Sequence, residues 1–197
     1  MQEIIDSARR RFLLIATSTL GAIGAALAAI PFVASWQPSA RAKGAGAPVE
    51  VDLSEIAPGE QITVEWRGQP VWILHRTQRM LDLLPTLDAR LRDPRSEVET
   101  QQPAYVDPVH RAIEPEWFVV VGICTHLGCV PTYRPDVAPP DLGVEWKGGY
   151  FCPCHGSRFD LAGRVYAGVP APTNLVVPPY RYVDETRVEI GVGPERT

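Results

Sequence analysis

The sequence predicts a mainly antiparallel β domain behind one N-terminal transmembrane helix, and three observations carry that prediction. After Arg9-Arg10-Arg11 no charged residue occurs before Arg41, and Phe12 to Trp36 is almost wholly apolar or small. Beyond Pro48 the chain breaks into short alternating or continuous apolar runs separated by Gly and Pro turns. Helical spacing recurs there at Met80, Leu84, Leu87 and Leu91, where Pro85 limits a first helix to about two turns. A chain of 197 residues fits one compact domain plus appendages. The expected divisions are an anchor over 1–36, a flexible hinge over 37–48 and a β domain over 49–197.

About 20 apolar residues, rising roughly 1.5 Å each, cross a hydrocarbon layer, and Phe12 to Trp36 is slightly longer. The arginines precede this span, so the positive-inside rule leaves Met1 in the cytoplasm and sends everything after Trp36 outward. Ser7-Ala8-Arg9-Arg10-Arg11-Phe12-Leu13 resembles a twin-arginine export signal, the address of proteins exported folded. An ordinary anchor whose arginines only set topology would use the same residues. Ala40-Arg41-Ala42 has the small-x-small form of a signal-peptidase site, but the apolar run exceeds the roughly 7 to 15 residues of a signal core, so retention is expected. Gln37 to Pro48 is poor in large side chains and reads as a hinge.

In the outer domain Val49 to Leu53 alternates apolar and polar, Pro58-Gly59 turns the chain, and Ile62 to Trp66 alternates again before a turn at Arg67-Gly68-Gln69-Pro70. Val71 to Leu74 returns. A proline-rich excursion runs on from the helical spacing to Pro115 and is the least predictable part. Trp117 to Val121 is a continuous apolar run, as expected of a buried strand. Tyr180 to Val183 and Arg187 to Val192 make a final hairpin around Asp184-Glu185-Thr186.

A net charge of -4, with Arg9-Arg10-Arg11 as the longest basic run, argues against a nucleic-acid binder. The four cysteines all lie between Cys124 and Cys154, which points to one site rather than a disulfide scaffold. They form two loops, Cys124-Thr125-His126-Leu127-Gly128-Cys129 and Cys152-Pro153-Cys154-His155-Gly156-Ser157. Zinc bound by two cysteines and two histidines is the competing structural reading. It fits poorly, because zinc motifs place two to four residues between paired ligands whereas Cys124 and His126 are separated by one, and two cysteines would be left over.

These two loops closely resemble those of the Rieske iron-sulfur proteins. The resemblance implies a Rieske-type fold, with a small cluster-binding subdomain of about 122–177 inserted in a β base domain. It implies one [2Fe-2S] cluster per chain, with Cys124 and Cys152 on one iron, His126 and His155 on the other, and a disulfide between Cys129 and Cys154. Two neutral imidazoles in place of two thiolates make the cluster less negative and raise its potential to about -150 to +300 mV, within reach of a quinol donor. An oxidising compartment, as the outward topology provides, suits a disulfide.

Neighbours carry over one at a time. Ser157 matches the family serine that donates a hydrogen bond to a cluster sulfide and raises the potential. Gly168-Val169-Pro170-Ala171-Pro172 resembles the loop that covers the cluster, with Gly168, Pro170 and Pro172 giving it its turn and stiffness. Leu127 resembles the exposed apolar residue that packs against the docked partner, burial over the cluster being the other reading. Many respiratory members have tyrosine where this chain has Phe159, so a hydrogen bond to a ligand cysteine is missing and a lower potential is expected. His75 and His110 are expected at strand ends or on the surface, and Arg158 and Arg164 in solvent.

Anchor, hinge, outward head and cluster together resemble the Rieske subunit of a cytochrome bc1 complex in a bacterial inner membrane. The resemblance implies that His155 hydrogen-bonds quinol on cytochrome b, taking an electron and a proton. The head then swings to cytochrome c1, within a dimeric complex. The small Rieske subunit of an arsenite-oxidase-like molybdoenzyme is the alternative.

Overall fold

The computed structural model describes residues 6–39, 44 and 46–194. The signal-peptidase motif at Ala40-Arg41-Ala42 and part of the expected hinge, residues 40–43 and 45, lie outside them. The chain divides into two units, Met1–Gly44 and Ala45–Thr197.

The first unit contains α1 (Ser7–Ala34). It starts where it does because the Asp6 carboxylate accepts hydrogen bonds from the Ala8 and Arg9 backbone N–H groups, satisfying donors that have no partner inside the helix. Its 28 residues give a length of about 42 Å, and an 18-residue stretch within it has a mean hydropathy of 2.0, so it is long and apolar enough to cross a membrane. Pro31 is tolerated in the last turn, and the Ser35 N–H closes that turn on the Pro31 carbonyl.

The second unit contains, among the described residues, three antiparallel three-stranded sheets. β2 (Gln61–Trp66), β3 (Gln69–His75) and β4 (Trp117–Val121) form a meander. Its hairpin is tighter than the sequence indicates: the turn is Arg67 and Gly68 alone, both at positive φ, as a two-residue turn matching the strand twist requires. β4 is buried from Phe118 to Val121, in keeping with its unbroken apolar run. β1 (Val49–Asp52) pairs with β9 (Arg187–Ile190), and β8 (Tyr180–Tyr182) completes that sheet. The Pro58-Gly59 turn therefore carries the chain from one sheet to the next. The third sheet, β5 (Thr132–Arg134), β6 (Gly149–Phe151) and β7 (Arg158–Phe159), carries the cysteine loops at its ends.

Between β3 and β4 the chain forms α2 (Gln78–Leu83), capped by the Thr77 hydroxyl, and then a 3-10 turn over Leu84–Arg90 where Pro85 ends regular α geometry. Leu84, Leu87 and Leu91 are buried, so the spacing did mark an apolar face. One residue expected in solvent is not there: Arg164 is fully buried, whereas Arg158 is half-buried on β7. Arg164 is held inside by the Asp160 carboxylate at 2.8 Å, by Asp88 at 2.9 Å and by the Leu84 and Pro94 carbonyls. A buried guanidinium needs such partners at nearly every N–H. His75 ends β3, hydrogen-bonds the Ile56 carbonyl and stacks on Trp117, while His110 pairs with Asp107 near the surface.

Candidate metal centre

The two cysteine loops are the same backbone turn used twice. In the first, which follows β4, the Cys124 N–H donates to the Cys129 carbonyl at 2.8 Å and the Gly128 N–H to the Cys124 carbonyl at 3.0 Å. In the second, between β6 and β7, the Cys152 N–H donates to the Ser157 carbonyl at 2.8 Å and the Gly156 N–H to the Cys152 carbonyl at 2.9 Å. Each loop returns through a glycine at positive φ, 81° at Gly128 and 75° at Gly156, where a side chain would be strained. Each begins with a buried cysteine and lifts a histidine from its middle. The local sequence repeats this turn because both loops share cysteine in first place and glycine in fifth.

Cys124 and Cys152 are buried free thiols that hydrogen-bond each other. Burial pushes the Cys124 thiol above its ordinary pKa; the His126 backbone N–H pulls it down, the neighbouring Cys152 raises it again and the Ser157 hydroxyl lowers it. Burial thus opposes a lone thiolate at a place already supplied with two donors for one. A cation that accepts sulfur resolves that conflict, so the donor set fits a metal group. The His126 and His155 rings lie 4.8 Å apart, centroid to centroid, and meet edge to face. His126 is half-buried and His155 exposed.

Cys129 and Cys154 form a disulfide, with Cα atoms 6.7 Å apart, that ties one loop to the other. The sulfurs of Cys129, Cys152 and Cys154 all lie within 4.8 Å of one another, but two of the three are consumed in that bond. Cys152 is the member of the trio that keeps a free thiol. Ser157 is fully buried and its hydroxyl accepts the Ala171 N–H at 3.0 Å, which fastens the proline-bearing loop to the second cysteine loop. The Thr125 hydroxyl donates to the Thr173 carbonyl at 2.7 Å and fastens it to the first. Ala171 is buried, whereas Gly168, Pro170 and Pro172 face outward. Leu127 is 70% exposed beside the histidines, which decides against its burial over the site.

Phe159 is fully buried on β7 opposite Tyr150 and offers no hydrogen-bond donor. Close approach of β6 and β7 depends on Gly149, at φ 151°, where a Cβ would stand 2.0 Å from the Phe159 carbonyl oxygen. Sequence reasoning gave no role to the buried polar residues just beyond the second loop, Asp160 and Asn174, and misplaced Arg164. The available signal was Asp160 in a tight glycine-bearing turn four residues before Arg164.

A family model described as the Rieske [2Fe-2S] domain matches residues 48–181. The chain belongs to the Rieske [2Fe-2S] family. Another, described as the ubiquitinol-cytochrome C reductase Fe-S subunit TAT signal, matches residues 4–39. The ubiquinol-cytochrome c reductase iron-sulfur subunit of Allochromatium vinosum is 57% identical over 187 residues, covering 95% of this chain and 90% of that protein. Its counterpart from Rhodospirillum rubrum is 45% identical, covering 94% and 93%. A solved hyperthermophilic respiratory Complex III aligns with a TM-score of 0.47 at 25% identity, over 88% of this chain and 97% of that one. As a Rieske protein the chain holds one [2Fe-2S] cluster, served by its single cysteine-rich site. Its apolar α1 is the membrane anchor of the Rieske head.

Proposed function

We propose that this Rieske protein is the iron-sulfur subunit of a quinol-cytochrome c reductase, taking an electron and a coupled proton from quinol and passing the electron to a c-type cytochrome. The observation that carries this reading is the polarity of the site: both free thiols are buried, while His155 and Leu127 are exposed. Exchange with a partner therefore takes place at the histidines.

Cys124 and Cys152 are assigned to one iron and His126 and His155 to the other. When bound, the cluster supplies a one-electron acceptor of raised potential. The exposed ring of His155 has a nitrogen free to accept a hydrogen bond from the quinol hydroxyl and to hold its proton. Leu127 gives the docked surface an apolar contact, and the disulfide keeps the two histidine-bearing loops in register. Cytochrome b and cytochrome c1 are the assigned partners, in a dimeric complex of a bacterial inner membrane with the head in the periplasm. The hinge over 37–48 serves the passage between them.

Quinol added to detergent-solubilised complex is expected to produce the electron paramagnetic resonance signal of a reduced Rieske centre, with an average g value below that of plant-type clusters, and then to reduce cytochrome c. Reduction by arsenite but not quinol, with a molybdenum subunit co-purifying, would favour the alternative enzyme.

Phe159→Tyr is expected to raise the midpoint potential, because a buried hydroxyl two residues beyond Ser157 adds a donor that favours the more negative reduced state. Redox titration of the variant checks this, and an unchanged or lower potential counts against it.

A further inference from the structure

The excursion between β3 and β4 is hydrogen-bonded along the loop that covers the metal site. Leu91 bridges Tyr166 in antiparallel register, the Arg92 N–H donates to the Val165 carbonyl at 2.9 Å and the Ala167 N–H to the Arg90 carbonyl at 2.8 Å. The Arg92 guanidinium reaches the Val169 carbonyl at 3.2 Å. Residues 90–92 thus act as a further short strand against 165–167, the segment that feeds into Gly168–Pro172.

Asn174 lies fully buried behind this contact. Its side-chain oxygen accepts the Val165 N–H at 2.8 Å, which draws together the two ends of the covering loop. Its amide nitrogen donates to the Asp93 carbonyl at 3.0 Å and to the Ser96 hydroxyl at 3.1 Å, both in the excursion. The side chain must accept on one edge and donate twice on the other, which a planar carboxamide does and a carboxylate or hydroxyl does not. From the covering loop the bonds continue to Ser157 through the Ala171 N–H and to Thr125 through the Thr173 carbonyl. One connected set of hydrogen bonds therefore joins the excursion to both cysteine loops.

We propose that Asn174 is a positioning residue for the cluster, through which the segment 84–102 sets the covering loop and so the water access and potential of the site. The electronic part of this rests on the [2Fe-2S] reading; the coupling of excursion to loop does not. Asn174→Ala in the full chain leaves the Val165 N–H and the Ser96 hydroxyl without this partner in a buried place.

The test combines amide hydrogen exchange with redox titration and electron paramagnetic resonance on the cluster-loaded full chain. In Asn174→Ala the amides of Val165, Ala167 and Ala171 are expected to exchange about tenfold faster while those of Val119 to Val121 stay as slow as in the wild type. The midpoint potential and g values are expected to shift with the loop. Arg92→Ala removes an exposed side chain that the fold does not need, and is expected to give a smaller change of the same kind. Equal acceleration in loop and β4 would reduce Asn174 to a stability residue and overturn the proposal. So would a loosened loop with unchanged potential and g values. A wild-type chain without a Rieske signal would overturn the functional reading instead, and the exchange pattern would still decide the coupling.

Discussion

Cys152→Ser is expected to abolish the cluster: the purified chain should lose its visible colour and its Rieske resonance and reduce no cytochrome c, while the β framework remains. A serine oxygen holds its proton far above the range of a thiol and is a harder donor than iron-sulfur clusters take. The site makes this more severe, since Cys152 lies beside Cys124, whose ionisation burial opposes, and the loss of either thiol leaves the other alone to meet the metal's charge. Retained colour in the serine variant would remove Cys152 from the ligand set.

Cys154→Ala makes the informative contrast, because its sulfur stands within 4.8 Å of the Cys152 sulfur. If Cys154 serves only the disulfide, the variant still binds the cluster and loses a crosslink closing a loop with sequence separation 25. On the chain-entropy account that loss is about 3–4 kcal/mol. The expected result is a coloured but heat-sensitive protein whose resonance is present at low temperature. A colourless but equally stable protein would mean that the sulfur trio, rather than the two matching loops, holds the metal.

How far these residues could be read from sequence follows from the range of the forces that place them. Local patterns survived translation: the unbroken run Trp117 to Val121 became a buried strand, and the apolar stretch after Arg11 became one helix. The loops were legible because chemistry demands cysteine, histidine and glycine at fixed offsets within six residues. The pairing of β1 with β9 was not, since Val49 finds Ile190 at a separation no local pattern records. The excursion was least legible, as it is held less by periodic apolar contacts than by buried side chains bonded to its carbonyls. Arg76 binds the Pro115 and His110 carbonyls, Arg111 that of Gln101, and Arg164 those of Leu84 and Pro94. An arginine on its way to solvent and one bound to carbonyls inside look alike in a sequence, which is why Arg164 was misplaced.

That misplaced arginine supports the second large effect. Asp160→Asn is expected to destabilise the head by about 3 kcal/mol, the low end of the range for removing one partner of a buried ion pair. Both side chains are fully buried, and the Asp160 carboxylate also accepts the Ala162 and Arg164 backbone N–H groups at 2.9 and 2.8 Å. Asparagine keeps an oxygen for those amides, so the cost falls on the guanidinium, left with a carboxylate at Asp88 that is 48% exposed. For a unit of this size the loss lowers the melting temperature by about 10 °C. Arg134→Ala, which breaks a pair with the exposed Asp141, should leave the melting curve nearly unchanged. Replacing the pair together, Asp160→Asn with Arg164→Met, should recover part of the loss, because the double variant buries no unpaired charge. A melting curve for Asp160→Asn that overlays the wild type would show that Asp88 and the carbonyls suffice for Arg164. The excursion would then be held through Arg164 by the Asp88 carboxylate and the Leu84 and Pro94 carbonyls, with no need of Asp160.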